Sequence, residues 1–183
     1  MSPKSTIFKV TLQIADLTRQ YYGSHQLTLA RHPSETDERL MIRLLAFALH
    51  AQEGLVFANG LTAEDEPDLW QKDLRGDIQL WVDVGLPDER QLRRACGRAQ
   101  QVVLYIYGGR SAALWWQQNS SQLVRFSNLK VIQVPAATSQ ALARMAHRHM
   151  DLNCTIQDGQ VWLADKDTAI EAALTLMQSE QIS

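Results

Sequence analysis

The sequence predicts a mixed α/β fold in which a mixed central sheet is flanked by helices and extended by additional terminal β-strands. Three features point there. Helix and strand periodicities interleave through the middle of the chain, the run Val102 to Tyr107 is apolar throughout, and both ends carry alternating, hairpin-forming stretches.

Taken in order, Ile7 to Ile14 alternates, with Phe8, Val10, Leu12 and Ile14 on one face and Lys9, Thr11 and Gln13 on the other. This is a half-buried strand. A turn at Gly23-Ser24 and a strand from His25 to Ala30 complete an opening hairpin. Ser34 then caps a helix from Glu35 to Gln52, because acids at its start complement the helix dipole. Its apolar stripe holds Met41, Leu44, Leu45 and Ala48, Gly54 follows its end, Glu35 sits at the fraying start, and Glu38 falls in line with the stripe. Leu55 to Ala58 is a short strand, Asn59-Gly60 a turn, residues 62–68 an acidic loop, and Leu69-Trp70 the start of another strand.

From Asp77 to Val84 the residues Ile78, Leu80, Val82 and Val84 share one strand face, and Gln79, Trp81 and Asp83 the other. Gly85 and Pro87 break it, and a helix from Asp88 to Arg98 follows with Leu92, Ala95, Cys96 and Ala99 inward and Arg90, Arg94 and Arg98 in one outer row. The run Val102 to Tyr107 suits a central strand covered on both faces. Gly108-Gly109 ends it, Ser111 to Gln118 is helical, Leu129 to Val134 is a strand, and Thr138 to Met150 is a helix capped by Thr138 or Ser139. Asp158-Gly159 joins the strands Leu152 to Gln157 and Val161 to Ala164. Thr168 to Met177 is ambiguous, since its alanines favour helix while Ile170, Ala172, Leu174 and Leu176 alternate like a strand; the preferred reading is a strand extending these terminal hairpins.

With 183 residues, 45% of them hydrophobic and 21% charged, the chain has the composition of a single globular domain over residues 1–183. A formal net charge of −2 excludes a globally basic nucleic-acid binder, so any such role requires a local patch. Cys96 and Cys154 match no metal-finger or disulfide spacing and read as reduced core thiols. Met1 to Phe8 lacks an apolar signal segment, and no stretch approaches the roughly 20 apolar residues of a membrane span. The expectation is a cytoplasmic protein without membrane partners.

Chemistry concentrates on acids placed at strand ends. Asp68, after Pro67, opens one strand and Asp83 nears the end of the next, so both reach one sheet edge. Two such carboxylates, joined by Glu38 from the first helix, form a hard oxygen set for Mg²⁺ or Mn²⁺, which activates water on a phosphodiester. Arg94, with Arg93 and Lys72 as alternatives, supplies a phosphate-binding cation; otherwise the arginine row is a solvated helix face. Other signals are weaker. His147 and His149 lie two apart on a predicted helix and diverge, His32 near Ser34 lacks a visible triad partner, Trp115 and Trp116 are base-stacking or core residues, and Gly108-Gly109-Arg110 is a phosphate cradle or a turn.

Pro67-Asp68 followed by Asp83-Val84-Gly85 resembles the PD-(D/E)XK nuclease pattern. A longer set resembles the landmarks of the bacterial YaeQ family: Leu27-Thr28-Leu29-Ala30-Arg31-His32-Pro33-Ser34-Glu35, Asp65-Glu66-Pro67, Gly85-Leu86-Pro87-Asp88-Glu89-Arg90 and Ile156-Gln157-Asp158-Gly159. This resemblance spans most of the chain and implies a restriction-endonuclease-like fold, with Asp68 as the first aspartate of the pattern, Asp83 as its second acid and Gly85 where the lysine belongs. Two readings stay open. One is a divalent-metal-dependent phosphodiesterase on nucleic acid, with Asp68, Asp83 and Arg94 at the reaction and Glu38, Asp68 and Asp83 on the metal. The other is a catalytically inactive domain that binds nucleic acid or a protein partner.

Overall fold

The computed structural model describes residues 4–180; the outermost three residues at each end of the predicted 1–183 domain lie outside the described residues. Its elements are β1 (Thr6–Asp16), β2 (Tyr21–Arg31), α1 (Asp37–His50), β3 (Leu55–Phe57), β4 (Leu69–Lys72), β5 (Ile78–Val84), α2 (Glu89–Arg98), β6 (Ala99–Ile106), α3 (Arg110–Leu123), β7 (Leu129–Gln133), α4 (Ala136–Arg144), β8 (His149–Gln157), β9 (Gln160–Ala164), β10 (Ala169–Glu171) and β11 (Thr175–Gln178). The fold is mixed α/β, but the strands form two mixed sheets where one central sheet with terminal additions was expected. Residues cluster into two compact units, Met1–Ala51 with Ala137–Ala173 and Gln52–Ala136 with Leu174–Ser183. No helix among the described residues is long and apolar enough to cross a membrane.

The first unit holds a five-stranded sheet ordered β10-β9-β8-β1-β2, in which β1 runs antiparallel to β2 and parallel to β8. Alternation builds its core. Phe8, Val10, Leu12 and Ile14 are buried, and the register sets Val10, Leu12 and Ile14 beside Met150, Leu152 and Cys154. The opening turn lies at Leu17–Gln20, with Gln20 at φ 56°, not at Gly23-Ser24, which sit within β2 opposite Ile14 and Gln13. Gly23 sits in a tight space. A Cβ there would lie 3.1 Å from both the Tyr21 hydroxyl and His25 Nε2, which hydrogen-bond to each other at 2.8 Å.

Helix α1 starts later than predicted because Thr36, not Ser34, caps it by accepting the Arg39 N–H at 3.1 Å. Ser34 instead contacts His32 Nδ1 at 2.7 Å. Glu35 is not at a fraying end: it is buried and binds Arg39 at 2.6 Å and Arg43 at 2.7 Å. Every residue from Leu40 to Ala48 is buried, so the predicted single stripe is an all-round apolar surface that includes the paired Arg43. The predicted helix from Thr138 to Met150 is shorter. Thr138 and Ser139 are buried inside α4, and His149 and Met150 open β8, where pairing with Lys9 and Val10 outweighs helix propensity.

The second unit holds a six-stranded sheet ordered β11-β7-β6-β5-β4-β3. Strands β5, β6 and β7 are parallel, connected through α2 and α3, while β3, β4 and β11 pair antiparallel. Val102 to Ile106 are all buried, as the apolar run required. One sheet face joins the helices in a core containing Trp81, Leu92, Ala95, Leu104, Trp115 and Leu129. The C-terminal tail divides between sheets. Its β10 extends the hairpin of β8 and β9 as predicted, whereas β11 pairs with β7.

Candidate functional site

Asp68 enters β4 from the acidic loop and is 2% exposed. Its placement is rigidly determined by backbone contacts. Its N–H donates to Val82 O at 3.0 Å, its carbonyl accepts from Ala58 N–H at 2.9 Å, and Gly60 packs so closely beneath that an added Cβ would meet the Pro67 and Asp68 backbone at 2.6 to 2.8 Å. Asp83 arrives from the neighbouring strand. The registers that pair Leu69 with Val82 and Asp83 with Leu104 bring the two acids together, as the sequence predicted.

Each carboxylate is then held by N–H donors. Val84 N–H donates to Asp68 Oδ2 at 2.8 Å, the Asp68 N–H lies 3.3 Å from Asp83 Oδ1, and the Trp81 indole N–H donates to Asp83 Oδ2 at 2.8 Å. Trp81 was legible as a neighbour of Asp83, since residues two apart in a strand share a face. Its role as hydrogen-bond donor was not.

The candidate cations separate. Arg94 is exposed on α2, Arg93 lies 4.0 Å from Glu89, and the Lys72 ammonium sits 3.8 Å from the centre of the Trp70 ring. The basic residue attached to the acidic loop is Arg98. It donates to Asp65 O at 2.7 Å while its guanidinium lies 5.1 Å from the Trp81 ring centre. At the lysine position, Gly85 has φ 134° and donates its N–H to Tyr105 O at 2.9 Å. Glu38 belongs to the other unit, where it accepts a hydrogen bond from the Ser139 hydroxyl.

The family model described as "YaeQ protein" covers residues 1–174. The chain belongs to the YaeQ family. YaeQ proteins of Escherichia coli K12 and Salmonella typhi are each 46% identical to it over 178 residues, spanning 97% of this chain and 98% of theirs. The YaeQ crystal structure from Xanthomonas axonopodis pv. citri superposes with a TM-score of 0.92 at 43% identity, covering 96% of this chain and 99% of that one. The Pseudomonas syringae YaeQ structure gives 0.92 at 34% identity, over 96% and 97% of the two chains. The two-sheet architecture is therefore that of the solved YaeQ structures.

The remaining candidates of this YaeQ chain fall elsewhere. His149 begins β8 and His147 precedes it in a loop, not on one helix; both line an open cleft of about 790 Å³ with Asp151, Asp165 and Asp167. The backbone N–H groups of Asp167 and Thr168 hold the Asp165 carboxyl below its usual range. Among the described residues no group of three or more His, Cys, Asp or Glu side chains is arranged to hold a metal ion. His32 Nδ1 accepts the Ser34 N–H at 3.1 Å in an exposed local turn. Gly108 and Gly109, at φ 113° and 58°, form the turn into α3. Trp115 is 9% exposed and donates to Pro87 O at 2.8 Å, a core position; Trp116 packs partly buried against the same core. Both cysteines are free thiols, Cys154 buried and Cys96 partly so.

Proposed function

We propose that this chain is a nuclease-type domain that binds nucleic acid without hydrolysing it. The carrying observation is that N–H donors already point at three of the four oxygens of the Asp68 and Asp83 carboxylates. A hard divalent cation needs lone pairs on those oxygens, and each N–H takes up one of the two that an oxygen offers. The pair therefore offers Mg²⁺ or Mn²⁺ fewer open lone pairs than two unengaged carboxylates would, and Glu38 is engaged by Ser139 within its own unit. The acids act as structural clasps between strand ends.

Gly85 supports the same reading. A φ of 134° suits glycine and strains any side chain, so the position that the nuclease pattern gives to lysine disfavours lysine here. The order α1, β3, β4, β5, α2, β6, with Asp68 leading into β4 and Asp83 near the end of β5, supports the restriction-endonuclease-like classification of the second part of the chain and the helix leading into it. Incubating the protein with single- and double-stranded DNA and RNA in Mg²⁺ or Mn²⁺ tests the proposal. Binding without cleavage, and no Mn²⁺ uptake by calorimetry, is expected. Cleavage that Asp83→Ala abolishes would overturn it.

A further inference from the structure

Charge is distributed unevenly within the second unit. Residues 89–130 carry seven Lys or Arg and a single acid, Glu89, in a chain whose formal net charge is −2. That acid is already taken: Glu89 accepts from Arg125 and lies 4.0 Å from Arg93. The preceding Asp88 is consumed as the cap of α2, accepting the Gln91 N–H at 2.8 Å. Helix α3 contains no acidic residue, and its exposed positions include Gln117, Gln118, Ser121 and Gln122.

Helix α2 presents Arg90, Arg93 and Arg94 outward, all exposed, while its Leu92 and Ala95 are buried in the core. Arg90 and Arg94, four residues apart, stand about 6 Å apart along the helix axis on one side. Arg98, the next in that row, is fastened to the Asp65 carbonyl and the Trp81 ring, which leaves the N-terminal three as the outward-facing charges. Guanidinium groups so displayed bind phosphate oxygens in bidentate fashion.

We propose that the outer face of α2, continued by the acid-free α3, docks on the phosphate backbone of double-stranded DNA. The inference rests on the nucleic-acid reading above and names the surface and partner for it. A duplex is favoured over a single strand because the face lacks a stacking platform: Trp115 is buried, Trp116 and Phe126 pack on the core, and the large hydrophobics it exposes are Leu114 and Val124. DNA is favoured over duplex RNA because the arginines of one helix face reach the phosphates that border the wide B-form major groove, whereas the A-form major groove is deep and narrow.

Fluorescence anisotropy with a short labelled DNA duplex across a salt series tests this. In the triple variant Arg90→Gln, Arg93→Gln, Arg94→Gln, affinity at about 0.15 M salt should fall on the order of a hundredfold, and the slope of log K against log salt should lessen by about 3. The variant should keep the wild-type circular dichroism spectrum, since all three side chains are exposed. A control triple in the other unit, Arg144→Gln, Arg148→Gln, Lys166→Gln, should bind as wild type. Wild-type affinity and slope in the α2 variant would overturn the docking face while leaving nucleic-acid binding intact. Absence of binding by the wild-type protein would overturn both, and tighter binding to single strands or duplex RNA would overturn the choice of DNA.

Discussion

The buried carboxylate of Asp68 accepts the backbone N–H of Val84 at 2.8 Å, joining the lead-in of β4 to the last residue of β5. This contact lies where Gly85 takes the chain out of the sheet with a positive φ. Removing the acceptor leaves a buried N–H without this partner. Asp68→Ala should lower stability by about 1 to 3 kcal/mol in urea denaturation, and Asp68→Asn, whose amide oxygen still accepts, should lose clearly less. Equal losses in both variants would show that charge, not the hydrogen bond, matters at this position.

Introducing the missing lysine should not restore hydrolysis. Gly85→Lys meets no steric obstacle, since a Cβ there has nothing within 4 Å, yet it forces φ 134° on a residue with a side chain. A loss of about 1 to 3 kcal/mol is expected, with no cleavage of DNA or RNA in Mn²⁺. Cleavage by this variant would mean that the acids are competent and only the cation is lacking.

Glu35 joins two arginines in the first unit. Its side chain is 1% exposed and bonds Arg39 and Arg43, the latter 7% exposed and also donating to Ala30 O at 3.2 Å. Glu35→Ala removes the carboxylate that neutralises a buried guanidinium and should cost about 3 to 5 kcal/mol. The double variant Glu35→Leu, Arg43→Met should recover most of that loss, which thermal or chemical denaturation of both proteins will measure.

Burial, with the Asp16 carboxylate adding to it, pushes the Cys154 thiol up from its ordinary 9.0 to about 12. The folded state therefore binds the proton more tightly than the unfolded chain. Its contribution is fully present below pH 9 and is lost as pH rises towards 12. Stability of the wild-type protein should fall more steeply across that interval than that of Cys154→Ala. At about pH 8 the native thiol should also resist aromatic disulfide reagents that label it after unfolding.

Local pattern was most informative where one interaction dominates. Phe8, Val10, Leu12 and Ile14 alternate and are buried; Asp158-Gly159 turns at φ 51° and 80° between β8 and β9; Asp88 caps α2. The meeting of Asp68 with Asp83 was legible as well, because proline, strand alternation and glycine mark both strand ends. Sequence was misleading where a distant partner decides. The local pattern places Met150 at the end of a helix but it pairs with Val10, and the alternation after Thr168 gives no sign that β10 and β11 join different sheets.

By itself, then, the sequence determined the alternation of helices and strands, the central apolar strand, the membership of the acids at neighbouring strand ends, and the arginines of α2. Tertiary structure alone decided that the strands form two sheets, that Glu35 is a buried ion-pair centre, and that N–H groups of Val84, Asp68 and Trp81 occupy the acid pair. The physical reason is range. Periodicity and capping act within a few residues, whereas strand pairing and the satisfaction of a buried carboxylate depend on groups that only folding brings within hydrogen-bond distance.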